Sequence, residues 1–260
     1  MRLAHTATFV GCLVLGGFSP ARALTSGSWS ELPPPWRYSH AAAFDAARNR
    51  MVIVGGYSPS GPSAATWVLA LSNPPVWALA GTSGAAPEAF VGRVAFADPI
   101  RDRMIVLQNN GAIVRALSLS TLAWTDLSSG TATPQGLIEA AVIYDPVRDR
   151  LLCFGGHVVC PHHTCANNNV WALPLTGARA WQAITPAGTS PSARRAAAAA
   201  YDPVRDRMLI FGGDNEGTNF QDAWALDLAG APGWEPIAAL GLPPGAGLFA
   251  FYDAAGDRAL

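Results

Sequence analysis

The run YDPVRDRMLIFGG at 201–213 is almost repeated as YDPVRDRLLCFGG at 144–156. Looser copies read FDAARNRMVIVGG at 44–56 and ADPIRDRMIVL at 97–107, and YDAAGDRAL closes the sequence. The shared Asp falls at Asp45, Asp98, Asp145, Asp202 and Asp253, with spacings of 53, 47, 57 and 51. A second marker follows the first: Trp77, Trp124 and Trp181 each precede the next Asp by 21 residues and Trp234 by 19. Ten residues before each lies Trp67, Val114, Trp171 or Trp224. The gap from Asp to that earlier slot is 22, 16, 26 and 22, so one connection absorbs nearly all the length variation. A period near 50 is that of a propeller blade, a unit that buries its apolar surface only by stacking on a neighbour.

Four strands fit in each repeat. Strand a is AAAFD, VAFAD, AVIYD or AAAAYD. Its alanines suit a helix, but aligned copies put Val, Ile, Phe and Tyr in the same slots, and a turn follows at once. Small residues also suit innermost strands crowded around a central axis. DPVRDR is then a tight turn: Pro presets φ, and the Asp side chain bonds the backbone. Strand b is the apolar run ending in Gly-Gly, whose residues tolerate positive φ. Strand c is AWALDL or its equivalent, and strand d begins at the second Trp. The Arg and Asp of the turn have two readings, pairing across neighbouring turns or a solvated turn with weak ion pairs; the second is the expectation. The repeated Trp residues are expected to form core between blades.

The closing FGG, the strand c segments NNVWAL and QDAWALDL, the following Trp and the P-x-x-R before strand a resemble the Kelch repeat. PWRYSH at 35–40 and PSARR at 191–195 carry the last element, while Phe90 and Leu137 replace its Arg in the second and third repeats. The second repeat also has QNNG for the double Gly. The resemblance covers nearly all of the chain and implies an all-β, Kelch-type β-propeller of four-stranded antiparallel blades. Four repeats are complete, and a composite fifth blade is incomplete. It also implies two enzyme precedents, since galactose oxidase is similar in its propeller domain and a periplasmic sialic-acid epimerase uses Kelch repeats. Copper-radical oxidation needs tyrosine and histidine ligands and a thioether-forming cysteine. Here Tyr144, Tyr201 and Tyr252 are repeat-slot residues beside the turn Asp, and no copper set assembles from the sequence. No Ser-His-Asp order, phosphate loop or paired-carboxylate motif stands out, and no cofactor is called for.

Half of the residues are hydrophobic and only 13% are charged, enough apolar material for a large core. A net charge of −1 argues against a nucleic-acid footprint. The N-terminus reads as an export signal over residues 1–23: Arg2, an apolar stretch from Thr8 to Phe18 too short to span a bilayer, then SPARA with small residues at Ala21 and Ala23. A lipoprotein anchored at Cys12 is the rival. The propeller then occupies 24–260, and the exported chain keeps Cys153, Cys160 and Cys165 in an oxidising compartment. Trp29 sits in a strand d slot with no strands before it, and Leu260 falls inside a strand b. The expectation is a composite blade shared between the ends and truncated at the C-terminus.

In an antiparallel blade the a–b and c–d turns share one face, and the b–c and d–a connections share the other. Variable loops on a rigid scaffold carry binding residues. The candidate ligand-binding residues are therefore Arg37, His40, His157, His162, His163, Arg194, Arg195, Asp214, Asn215 and Glu216. For the arginines, backbone and inter-blade hydrogen bonding is the stronger expectation. GGHVVCPHHTCANNNVW, the longest b–c loop, has three readings: a Cys160–Cys165 disulfide, which is the expectation, a His/Cys metal site, or a polar surface loop. Its spacing matches no standard zinc motif. Cys153 aligns with Ile53 and Ile210, which makes it a core thiol. Asp214, Asn215, Glu216 and Asp222 are oxygen donors but depart from the EF-hand pattern. Asp222 fits a structural slot before the strand c Trp. The sequence thus reads as a non-catalytic module binding a protein or glycan, with a propeller-scaffold carbohydrate-active enzyme as the alternative.

Overall fold

The computed structural model describes residues 37–89, 94–108, 111–160, 164–238, 245 and 250–259. The signal segment, Trp29, His162, His163, Phe90 and Leu260 lie outside them. The described residues are all-β apart from one turn of 3-10 helix at Ala46–Arg48. Four antiparallel sheets are arranged as propeller blades. Blade 1 runs Ala41–Asp45, Arg50–Val54, Thr66–Ala70, Val76–Leu79. Blade 2 runs Val94–Asp98, Arg103–Gln108, Ile113–Ser118, Ala123–Asp126. Blade 3 runs Ala141–Asp145, Arg150–Phe154, Val170–Pro174, Gln182–Ile184. Blade 4 runs Ala198–Asp202, Arg207–Phe211, Ala223–Asp227, Gly233–Ile237. Tyr252–Asp253 and Arg258–Ala259 pair as the first two strands of a fifth unit. The a-b-c-d order holds in every complete blade, which puts b–c and d–a connections on one face.

One element was not expected. Ser83–Gly84, just after strand d of blade 1, lies parallel to strand d of blade 2, and Ala187 bridges Gly233 in the same way. The chain leaving one blade thus braces the outer edge of the next, which covers an otherwise unpaired strand.

The core is three layers between blades. Period-2 alternation divides each strand between its two neighbours. In strand b of blade 2, Met104 and Val106 pack on Ala41, Val52 and Val54 of blade 1, while Ile105 and Leu107 pack on Leu151 and Leu173 of blade 3. The strand d Trp faces the preceding blade: Trp124 packs against blade 1, Trp181 against blade 2 and Trp234 against blade 3. Trp234 meets Phe154 edge-on with centroids 4.9 Å apart, so the expected inter-blade role of these rings holds. Cys153 is buried in strand b, and burial pushes its thiol up to about 12.

The turn arginines correct the sequence reading. The repeated Asp is not solvated: Asp98, Asp145 and Asp202 are fully buried. In each copy it accepts Nε of the second turn Arg at 2.8 Å, from Arg50, Arg103, Arg150 and Arg207. It also accepts backbone N–H groups inside the turn, as from Val147 and Arg148 to Asp145 at 3.1 Å. The first turn Arg reaches the next blade. Arg48 pairs with Asp102, Arg101 with Asp149, Arg148 with Asp206 and Arg205 with Asp257. Each accepting Asp sits at positive φ (46–50°), a conformation Asp and Asn tolerate, and this aims it back at the preceding turn. Tyr144, Tyr201 and Tyr252 donate to the same carboxylates. DPVRDR is copied because it serves as both the hairpin turn and the rung of an inter-blade ladder.

Candidate ligand-binding face

On the opposite face, the segment entering each strand a crosses the residue that follows the double Gly. The crossings are Tyr38 with Tyr57, Ile138 with His157, and Arg195 with Asp214. They are held by backbone bonds such as Tyr57 N–H to Tyr38 O at 2.9 Å and Arg195 N–H to Asp214 O at 2.9 Å. The second Gly is what permits the crossing. A Cβ on Gly156 would lie 2.3 Å from Gly136 O, and one on Gly213 would lie 2.7 Å from Arg195 O. After the crossing comes one residue at positive φ, namely Ser39, Glu139 or Ala196, and Ala196 N–H donates to Glu139 O across the blade boundary at 2.8 Å. The frame is the same in three blades, while the crossing side chains differ.

Between blades 3 and 4 these side chains form a polar cluster. Arg195 donates to Glu139 Oε2 at 3.1 Å and to Asp214 Oδ2 at 3.3 Å. His157, 6% exposed, places Nδ1 3.6 Å from Glu139 Oε2. The Glu139 carboxylate is about half exposed, so it is the member that solvent or a ligand reaches. Asn215 is half-buried and Glu216 exposed on the short hairpin beyond Asp214.

The arginines of P-x-x-R separate by role. Arg194 is 1% exposed, and its guanidinium is fully committed. It donates to Ser192 O and Gly212 O, pairs with both Asp222 oxygens and stacks over Phe220 at 4.1 Å. It therefore takes the backbone-bonding role expected of these arginines and is withdrawn from the ligand face. Asp222, also bonded by Trp224 Nε1 at 2.8 Å, is structural as expected. Arg37 likewise donates to Gly55 O at 3.0 Å and lies over Trp67. Burial pulls His40 below the ordinary histidine value, so its imidazole is neutral at pH 7.

Cys160 and Cys165 form a disulfide, Cα–Cα 5.9 Å, closing the hairpin of His157–Val159 and Thr164–Ala166. In protein processed after Ala23, thiol labelling should find one site on unfolding, Cys153, and two more only with reductant. By loop-closure entropy, removing so short a cross-link costs no more than about 2 kcal/mol.

Sequence reasoning missed Tyr38, Tyr57 and Glu139. Aligning the repeats at the residue after Gly-Gly and at the residue after P-x-x-R would have found the two tyrosines, because those slots vary within a copied frame.

The Kelch-repeats domain described for KLHDC2, KLHL20 and DRC7 matches residues 101–250. The chain belongs to the Kelch-repeat family. Comparison with curated proteins gave no match. Among solved structures it is similar to a fungal alcohol oxidase of the AA5 family in complex with copper, at 15% identity and TM-score 0.57. The match covers 83% of this chain and 46% of the oxidase, so the chain spans less than half of that relative. At that identity the likeness concerns the fold. The described residues do not reproduce a copper set. Among the described residues, no group of three or more His, Cys, Asp or Glu can hold a metal. The hydroxyls of Tyr144, Tyr201 and Tyr252 are committed to carboxylates of the opposite face.

Proposed function

We propose that this chain is an exported, non-catalytic Kelch propeller that binds a protein or glycan ligand through its b–c and d–a connections. One observation carries the reading: three blades share one backbone crossing, yet present Tyr38/Tyr57, Ile138/His157 and Arg195/Asp214 at it. A purely structural position would be copied as the turn on the other face is. Export is supported by the N-terminal signal pattern and by the disulfide. No helix among the described residues is long and apolar enough to cross a membrane. The enzyme alternative, oxidase- or epimerase-like, rests on fold likeness.

The test is a displayed peptide library and a glycan array probed with the purified protein. At least one of Arg195→Ser, Glu139→Gln and Tyr57→Ala, which sample two of the crossings, should weaken any ligand found by roughly tenfold or more. Val147→Ser, on the opposite face, should leave it unchanged. A ligand insensitive to all three loop-face variants would show that the binding surface lies elsewhere.

A further inference from the structure

We propose that the stacked Tyr38–Tyr57 pair is a platform for a neutral carbohydrate, taking the apolar face of a hexopyranose. The proposal rests on the loop-face reading above and names a ligand class for it. The rings are 5.2 Å apart and 11° from parallel, and Tyr38 remains 57% exposed. The other blades are an internal control. The same crossing is filled by Ile138/His157 and by Arg195/Asp214, so the fold does not require an aromatic pair here. An exposed stacked pair where the backbone accepts polar residues is a feature beyond folding.

Three observations choose the ligand. First, the platform is fixed before binding. Reciprocal bonds, Tyr38 N–H to Tyr57 O and Tyr57 N–H to Tyr38 O, lock the two residues together, and Gly56 allows the approach, since a Cβ there would lie 2.8 Å from Tyr38 O. Little conformational entropy is then left to lose on contact. Second, the neighbouring surface is rich in hydroxyls. Tyr57–Ser58 and Gly61–Pro62 form a small hairpin. Ser58 and Ser60 hydroxyls are 2.9 Å apart, and Ser58 also bonds Gly61 O. Together with the phenols they offer donors and acceptors beside a flat apolar face, the pattern a sugar ring presents in reverse. Its C–H face carries slight positive charge and suits the negative face of an aromatic ring. Third, the adjacent Arg37 guanidinium is engaged by Gly55 O and lies over the Trp67 ring, and His40 is half-buried. With the flanking charged groups drawn toward the protein, the platform itself offers rings and hydroxyls, which suit a neutral ligand. A peptide anchor favours a desolvated pocket. A cavity of about 140 Å³ does exist, but it is lined by residues such as Phe96, Ile143 and Tyr201 and does not include Tyr38 or Tyr57.

Cellotetraose, maltotetraose, chitotetraose and a β-1,4-galactotetraose serve as probes, with saturation-transfer NMR for contact and titration calorimetry for affinity. At least one should bind, with transfer strongest on ring C–H protons. Tyr38→Ala should lower the affinity roughly tenfold or more, while Tyr38→Phe, which keeps the ring, should stay within about threefold. Circular dichroism confirms that both variants fold, and Tyr57→Ala gives a second reading should one of them fail to. Absence of binding by all four sugars overturns the proposal, as does a bound sugar indifferent to both Tyr38→Ala and Tyr57→Ala. If the sugars fail while a peptide ligand responds to Arg195→Ser, the loop-face reading stands and the carbohydrate assignment falls.

Discussion

Asp202→Ala is expected to lower the free energy of unfolding by about 3–5 kcal/mol, measured by urea denaturation at pH 7. Asp202 is fully buried. One oxygen accepts Val204 N–H at 3.0 Å and Arg205 N–H at 3.1 Å, and the other takes Arg207 Nε at 2.8 Å. Truncation strands all three donors at the junction of a turn and two strands. Asp202→Asn keeps an acceptor for the backbone but not the charge, and should cost about 1–3 kcal/mol. Arg205→Ala removes the exposed rung to Asp257 and one longer contact to Asp202 at 3.2 Å, but leaves Asp202 its backbone donors and Arg207, and should cost less than Asp202→Ala. Comparable losses would mean that the ladder stabilises as a unit rather than through its buried carboxylates. The pH dependence follows from the same contacts. Burial pushes Asp98 and Asp202 up, but the bonds they receive from Arg103 and Arg207 outweigh it and hold both below the ordinary value. Their folded-state values are depressed. The stabilisation is therefore complete above the unfolded value, about 3.9, and is lost as pH falls through the folded ones. Asp202→Asn should flatten this acid limb of the stability curve, and an unchanged limb would remove Asp202 from it.

The repeat made the fold legible because each copy solves the same packing problem with the same residues. Strand order, the inter-blade Trp layer and the core thiol Cys153 followed from slots that could be aligned, whereas the Cys160–Cys165 pair was read from two cysteines in one long loop of a chain whose start reads as an export signal. The ladder was misjudged for a physical reason. A turn rich in Arg and Asp is normally solvated, and only the propeller's narrow axis brings successive turns close enough for Arg148 of one blade to meet Asp206 of the next. Arg194 shares a face with the variable loops, yet Asp222 and the Gly212 carbonyl hold it inside the blade, the bonding role that its repeat slot made the stronger expectation. The ligand face itself was only half visible. Arg195, His157 and Asp214 were legible as polar loop residues. Their convergence with Glu139 was not, because the partners come from two blades and meet through a crossing with no sequence pattern of its own beyond the second glycine.

That glycine gives the second large effect. Gly156→Ala is expected to destabilise by about 2–4 kcal/mol, combining the strain of positive φ with overpacking. Gly156 has φ +93, and a Cβ there would sit 2.3 Å from Gly136 O and 2.8 Å from Ile138 O. Both obstacles are backbone, so no side chain can swing aside to make room. The segment carrying Glu139 must move, which breaks the His157 N–H bond to Ile138 O and pulls Glu139 from Arg195. Gly177 supplies the comparison. It also has positive φ, +66, but a Cβ there meets nothing within 4 Å. Gly177→Ala should therefore cost only the backbone strain, about 1 kcal/mol. The difference between the two variants in matched urea melts measures the close crossing by itself. Equal costs would mean that the double glycine serves strand b alone. A larger cost at Gly156, accompanied by weaker ligand binding, would tie the repeated double glycine to the face where the blades differ.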